Sequence, residues 1–179
     1  MDSLGVSRIP FRLFGTVDYK RARYVFMPTY AIRQALLVDS KAEKDGSSAT
    51  LQRSQTSMRM RHTLQGGGEV DEQGGLPTVI DSPFGGMLTT TTVVKFVYDE
   101  TDGQRSLLQV IIAAVPSGML QNVYNPNAQQ TIWRRGRNAP TLDEEFRVRL
   151  SYDRLATAAA WRVQRIQLLP APTPFVWNG

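Results

Sequence analysis

The chain has 179 residues, 41% of them apolar and 21% charged, and it carries a formal net charge of +5. This size and composition are typical of one soluble globular domain with a sizeable core. Cysteine is absent and His62 is the single histidine, which excludes disulfides, thiolate metal sites and two-histidine metal sites. No stretch approaches the ~20 apolar residues of a membrane span, and the N-terminus lacks the pattern of a signal peptide, so we expect a cytoplasmic protein.

The positive charge is carried mainly by arginine. The 21 basic residues are 17 arginines and 4 lysines. The planar guanidinium suits phosphates and guanine edges, whereas an ammonium acts as a point charge. A polyanionic partner is the leading interpretation; a GC-rich genome that favours arginine codons is an alternative cause of part of the bias.

The first half of the chain predicts two strands, a helix and a loop. Residues 11–18 form a strand candidate that ends on Asp18, and the apolar run within 30–42 predicts a buried strand that ends at "VDSKA". Residues 50–64, "TLQRSQTSMRMRHTL", fit a helix because Leu51 and Met58 share one face. Residues 65–86 are rich in glycine and proline and predict a mobile surface loop.

The second half predicts a series of strands. β-Branched or alternating residues indicate strands at 87–98, 106–116, 144–153 and 161–169, with a hairpin turn after the first and a short helix within 154–160. Residues 125–140 predict a polar, basic connection. The fold class is therefore α/β: one domain over residues 1–179, with a mixed central sheet of five or six strands and few flanking helices.

Two carboxylates and one ammonium are candidates for a site. Residues i and i+2 of a strand share a face, so Asp39 and Lys41 project together. The ordinary interpretation is a structural ion pair at a strand end. Asp18, however, also ends an apolar strand, and two carboxylates brought together by neighbouring strands favour a cation between them. With oxygen ligands alone, that cation is of the Mg²⁺ kind.

The same residues resemble a known family. The Asp…Asp-x-Lys pattern is similar to the PD-(D/E)xK nuclease core, and five blocks in order resemble the SfiI type II restriction endonucleases: "GTVDYKRARY", "LLVDSKAEK", "TLQRSQTSM", "YNPNAQ" and "RVRLSYDRL…WRVQ". They extend from about Gly15 to Gln164. The resemblance implies a restriction-endonuclease-like core that cleaves double-stranded DNA with Mg²⁺ at an interrupted GC-rich palindrome. It also implies a homodimer or homotetramer.

The resemblance assigns roles by position. Asp18, Asp39 and Lys41 match the catalytic residues, with Asp18 and Asp39 as the metal ligands. Two departures accompany the match. Val17 stands where the superfamily name has proline, and only about fourteen residues precede the first predicted catalytic strand, where the family carries a helical region. We therefore expect a trimmed core.

Candidate DNA contacts lie after the catalytic strand and near residue 148. Arg147 and Arg149, at i and i+2 of a strand, present two guanidinium groups that suit O6 and N7 of guanine; they match the family's base-reading positions. A charged surface paired with Glu144 and Glu145 is the alternative. Further candidates, for which an ordinary solvated surface is the alternative, are Lys44, Gln52, Arg53, Gln55 and, more weakly, Lys20.

Two other function classes stay open at this point. A non-catalytic DNA-binding module derived from a nuclease fold would keep the arginines and lose cleavage. A structural, capsid-type protein would account for the threonine-rich strand but not for the arginine bias.

Overall fold

The structure is a computed structural model that describes residues 22–26, 32–44, 50–63, 67–82, 85–101, 103–135 and 147–170. Its elements in chain order are β1 (Ala22–Phe26), β2 (Gln34–Lys44), β3 (Thr50–Gln52), β4 (Met60–Thr63), β5 (Glu69–Glu72), β6 (Val79–Ser82), β7 (Gly85–Thr101), β8 (Gln104–Val115), α1 (Gln121–Tyr124), β9 (Trp133–Arg135), β10 (Arg147–Leu150), α2 (Tyr152–Ala158) and β11 (Val163–Gln167). Three short 3₁₀ turns cover Arg53–Gln55, Gly118–Leu120 and Ala160–Arg162.

A six-stranded sheet forms the centre of the fold. Its strands follow the order β1-β2-β7-β8-β11, and β6 pairs with the start of β7. The β2–β7 pair is parallel and the others are antiparallel, so the sheet is mixed. The β7–β8 hairpin turns at Gly103, whose φ of +78° lies in the left-handed region that favours glycine. This arrangement places the charged end of β2 beside the middle of the long strand β7.

A smaller sheet packs against the central one. It has the order β3-β10-β9, and β4 and β5 form a separate antiparallel pair. The hydrophobic core takes Val93, Ile111, Ala113, Val115 and Val163 from the central sheet, and Leu51, Trp133, Val148 and Leu150 from the small one. Alternation along each strand directs one face to this core and leaves the other for polar side chains. The small sheet thus has a buried apolar face and an opposite polar face.

The helix α2 follows β10 directly. Ser151 is its N-cap, because the Ser151 hydroxyl accepts a hydrogen bond from the backbone N–H of Arg154. Leu155 of α2 is fully buried in the core. The cap therefore fixes where the last strand of the small sheet turns into a helix that covers the central sheet. In the described part of the chain, no helix is long and apolar enough to span a bilayer.

The predicted fold class is confirmed: the chain folds around a mixed six-stranded sheet with few helices. The strands predicted at 30–42, 87–98, 106–116 and 161–169 correspond to β2, β7, β8 and β11. Of the strand predicted at 144–153, Arg147–Leu150 form β10 and residues 144–146 lie outside the described residues; after Leu150 the Ser151 cap begins α2 instead. The strand predicted at 11–18 lies outside the described residues.

The helix predicted for residues 50–64 is wrong. The segment contains β3, a 3₁₀ turn and β4 instead. Leu51 and Met58 are both fully buried, as the helical spacing required, but pairing of β3 with β10 and of β4 with β5 decides the local conformation. Tertiary pairing overrides helix propensity here.

The segment 65–86 contains β5 and β6, and it leads into the first residues of β7. Short strands are thus present where the glycine and proline content predicted a loop. The mobility of this segment stays a prediction. Strand β9 lies within the connection predicted at 125–140, where three residues are too few for an alternating pattern to stand out.

Candidate active site

Asp39 and Lys41 lie on one face of β2, in the part of the strand that pairs with β7. The register runs without interruption from Gln34 to Lys44 along β7, so the charged residues belong to the sheet and not to a frayed end. Asp39 is 7% exposed. The Nζ atom of Lys41 lies 2.9 Å from Oδ2 of Asp39. The sequence-predicted pairing of this carboxylate with this ammonium is present in the structure.

The Asp39 carboxylate retains unused acceptor capacity. Its Oδ2 atom is buried and accepts no hydrogen bond from any residue in the described ranges, although the Lys41 ammonium is within ion-pair distance. The two observations agree if the ammonium approaches outside the hydrogen-bond directions of the oxygen. A buried carboxylate oxygen in that condition is costly unless a further group satisfies it.

Three side chains extend the cluster beyond the predicted residues. Glu43 follows on the same face of β2, and its Oε2 lies 3.1 Å from Nζ of Lys95, a residue of β7 that is only 3% exposed. Tyr152 of α2 has a buried hydroxyl with no hydrogen-bond partner in the described part of the chain. Burial raises the pKa of Tyr152, and the negative charges of Glu43 and Asp39 raise it further. The phenol therefore stays protonated and can donate a hydrogen bond.

The described part of the chain offers one carboxylate of the kind that binds a hard divalent cation. The buried Oδ2 of Asp39, which accepts no hydrogen bond from the described residues, is an oxygen ligand of the kind that Mg²⁺ prefers. The second predicted ligand, Asp18, lies outside the described residues, as does Lys20. Within the described ranges, no group of three or more His, Asp or Glu side chains could hold a metal. Asp39 therefore presents one carboxylate ligand on the described part of the fold.

A second polar region lies on the small sheet. Arg147 pairs with Gln52 in the β10–β3 register, and Arg149 pairs with Thr50 on one side and Arg134 of β9 on the other. Because Val148 and Leu150 of β10 fill the core, Arg149 lies on the opposite face. The register thus places both predicted base-reading arginines, Arg147 and Arg149, on the strand next to the predicted contact residue Gln52.

Arg149 and Arg134 form a like-charge pair across the strands. Directly opposite like charges destabilise an antiparallel pair. The Nε atom of Arg149 is buried and has no hydrogen-bond partner among the described residues, and Arg134 is exposed. An anion bound between the two guanidinium groups would offset the repulsion between Arg149 and Arg134 and would accept a hydrogen bond from the Arg149 Nε. This face therefore has the electrostatics of an anion-binding surface.

The remaining predicted contacts are distributed differently. Arg53 is exposed, whereas Gln55 is 5% exposed and its Oε1 accepts a 2.7 Å hydrogen bond from the backbone N–H of Gln52. The backbone carbonyl of Gln55 accepts from the Thr91 hydroxyl at 2.6 Å. Lys44 is exposed and lies 3.3 Å from Glu100. Gln55 thus has an internal structural contact, while Arg53 and Lys44 face solvent.

Comparison with known proteins decides the family. The family model "Type II restriction enzyme SfiI" matches residues 1–166. The chain belongs to the SfiI family of type II restriction enzymes. It is 34% identical over 165 residues to the type II restriction enzyme SfiI of Streptomyces fimbriatus, which covers 87% of this chain. The chain spans 61% of the length of that SfiI relative.

Two solved structures share the fold. The tetrameric SfiI endonuclease bound to cognate DNA is similar with a TM-score of 0.75 and 28% identity, over 93% of this chain and 66% of that one. The BglI endonuclease bound to its DNA recognition sequence gives a TM-score of 0.70 at 17% identity, with the same coverage. The SfiI-like fold that the sequence predicted is confirmed.

Sequence reasoning missed four residues of these two regions: Glu43, Lys95, Arg134 and Tyr152. Lys95 could have been found from the sequence, because it is the one charged residue within "MLTTTTVVKFVY". It lies two residues after the buried Val93 and therefore on the same face of the strand. Glu43 could have been found as the next i+2 position after Lys41. Arg134 and Tyr152 depend on the strand pairing and on the placement of α2, which the sequence does not reveal.

Proposed function

We propose that this chain is a type II restriction endonuclease that hydrolyses phosphodiester bonds of double-stranded DNA with Mg²⁺. The observation that carries the proposal is the buried Asp39 Oδ2, which accepts no hydrogen bond from the described residues and lies 2.9 Å from the Lys41 ammonium. Membership in the SfiI family supports it. A carboxylate and an ammonium on one strand face can serve a metal and a phosphate at the same time.

Each side chain has a distinct task in this proposal. Asp39 and Asp18 hold the cation through carboxylate oxygens. A bound Mg²⁺ supplies Lewis-acid polarisation of the scissile phosphate and lowers the pKa of a water molecule. Lys41 contacts the phosphate oxygens and holds the attacking water or assists its deprotonation. The Tyr152 hydroxyl, protonated and without an acceptor in the described chain, is available to donate towards the same phosphate.

DNA sequence would be read on the small sheet. Arg147 and Arg149 each suit a guanine edge in the major groove, and a good bidentate contact discriminates by about 1–3 kcal/mol. The Arg134–Arg149 pair supports this assignment, because an anionic groove relieves its repulsion. Two guanine readers per subunit, doubled by symmetry, fit an interrupted GC-rich palindrome and a homodimer or homotetramer.

Other contacts would add affinity without sequence preference. Arg53 and Lys44 are exposed and suit phosphates, and Gln52 lies in register beside Arg147. Gln55 would support the Gln52 backbone from inside. We further propose that residues 1–179 act as one nuclease domain in the cytoplasm, where the DNA substrate is found, and that residues 65–86 order on DNA.

The test is supercoiled plasmid incubated with the purified chain in Mg²⁺ or in EDTA. The proposal predicts discrete fragments in Mg²⁺ and intact plasmid in EDTA, with fragment ends that map to one interrupted GC-rich sequence. The competing function is a DNA-binding module without catalysis. For that function the arginine face, the side of the small sheet on which we place Arg134, Arg147 and Arg149, is sufficient by itself. It predicts a salt-sensitive gel shift and no fragments under either condition.

A further inference from the structure

Lys41 lies between two carboxylates of its own strand. Asp39 precedes it by two residues and Glu43 follows by two, and all three share one face of β2. In a regular strand the Cα atoms of Asp39 and Glu43 lie at similar distances from that of Lys41, about 6.6 Å along the strand in either direction. The Lys41 ammonium nevertheless lies with Asp39, at 2.9 Å, while Glu43 forms its ion pair with Lys95.

Lys95 occupies a position that the core would fill with an apolar residue. It lies on β7 between Val93 and Val97, which point to the same side and are buried. Burial of an ammonium is costly, and a buried ion pair is often no more stabilising than apolar side chains of similar size. A lysine with 3% exposure at this position is therefore poorly explained by stability alone.

The β2–β7 register makes Lys95 the direct neighbour of Lys41. The two lysines are Cα partners on parallel strands, which lie about 4.8 Å apart in a sheet. Two ammonium groups on adjacent positions repel each other. Lys95 thus acts on Lys41 in two ways: it engages the competing carboxylate of Glu43, and it repels the Lys41 ammonium towards Asp39.

We propose that Lys95 is a positioning residue that reserves Lys41 for Asp39 and the scissile phosphate. The inference rests on the proposed endonuclease function. Without Lys95, Glu43 loses this ion pair and competes with Asp39 for the Lys41 ammonium. The competition withdraws Lys41 from the reacting atoms without removing it.

The kinetic test compares Lys95→Met with the double variant Glu43→Gln/Lys95→Met. We expect Lys95→Met to lower the single-turnover cleavage rate at least about tenfold and by no more than the roughly 10²–10⁴-fold that a positioned proton-transfer group supplies. Half-saturation by DNA should change little. The double variant removes the competing carboxylate as well, and we expect its rate to return to within about threefold of the parent, as the positioning argument requires. A double variant as slow as Lys95→Met overturns the proposal.

Two further variants separate positioning from loss of stability. Lys95→Arg keeps the charge and should cleave at close to the parent rate, whereas Lys95→Gln should be slow even if Lys95→Met does not fold. Val97→Ala, on the same buried face of β7, removes core volume without changing charge. It should lower the melting temperature and leave the cleavage rate of the folded protein unchanged. A parent-like rate in folded Lys95→Gln overturns the proposal.

A readout that needs no cleavage tests the positioning directly. The chain has four lysines, so the ammonium signals of ¹⁵N-lysine-labelled protein can be assigned with Lys→Arg variants. We expect the Lys41 ammonium signal to shift in Lys95→Gln and to return in Glu43→Gln/Lys95→Gln. An unchanged Lys41 signal overturns the positioning role. Absence of plasmid cleavage by the parent chain would instead overturn the endonuclease function, so the two failures are distinguishable.

Discussion

The Nζ atom of Lys41 lies 2.9 Å from Oδ2 of Asp39, two residues away on the same face of β2. The oxygen is buried and, among the residues that the structure describes, accepts no hydrogen bond in spite of that proximity. An ion pair formed only for stability would orient the ammonium to donate to the carboxylate. The contact lies within the β2–β7 pairing and not at a frayed strand end, and a carboxylate oxygen so placed can accept a further ligand.

The first prediction concerns Asp39. Asp39→Asn keeps the shape of the side chain and removes the charge that a cation needs, so we expect cleavage to fall at least about 10³-fold. DNA affinity measured in EDTA should remain within a few-fold of the parent. The matched control is Ser40→Ala, since Ser40 is exposed on the other face of β2. Cleavage retained by Asp39→Asn would refute the site.

The second prediction concerns base recognition by Arg149. Arg149→Lys keeps the positive charge and loses the two-pronged donor geometry. We expect the preference for the mapped cognate duplex over a scrambled duplex to fall by about 1–3 kcal/mol, with little change in affinity for the scrambled duplex. Competition gel shifts measure both quantities. Arg105→Lys, on β8 of the other sheet, should leave the preference intact; an equal loss in this control would contradict base reading by Arg149.

The third prediction concerns Gln55, which joins β3 to the central sheet. Gln55→Ala removes the acceptor of the 2.7 Å hydrogen bond from the Gln52 N–H. We expect a loss of about 0.5–1.5 kcal/mol in the free energy of unfolding, because the variant loses this part-buried hydrogen bond. Denaturant titration measures it, with Ser106→Ala, an exposed polar residue of β8, as control. A large loss of DNA affinity at unchanged stability would instead assign Gln55 to DNA contact.

The fourth prediction concerns pH. Burial lowers the pKa of His62, and the positive charge of Arg135 lowers it further. The unfolded chain therefore takes up a proton near the ordinary value of about 6.5, before the folded chain does. Stability should be complete above that pH and decline as the pH falls towards the lowered native pKa. His62→Gln should flatten this decline between about pH 7.5 and 5.5 in thermal melts; an identical decline in the variant would exclude His62 as its cause.

The alternating strands were predictable because their patterns are long. β7 and β8 carry β-branched or apolar residues over 17 and 12 residues, and only a sheet arranges them with one buried face. β3 and β9 have three residues each. Their conformation depends on pairing with β10 from far along the chain, so local sequence could not reveal it, and residues 50–64 were predicted as a helix.

The candidate site was predictable only where its residues share one strand. Asp39 and Lys41 follow from period two alone. Lys95 joins them through the parallel register of β2 with β7, and Tyr152 through the packing of α2, both of which are tertiary facts. The arginine face divides in the same way: Arg149 was predicted from its own strand, whereas its neighbour Arg134 required the β9–β10 pairing.

The most direct measurement of the central claim is a crystal structure of the chain with its mapped cognate duplex and Ca²⁺, a cation that binds oxygen ligands and commonly replaces Mg²⁺ without supporting turnover. We expect the ion about 2.3–2.6 Å from Asp39 Oδ2, with Asp18 and the scissile phosphate as further ligands and Lys41 on the phosphate. An ion bound away from Asp39, or a duplex whose phosphates do not reach Lys41, would contradict it.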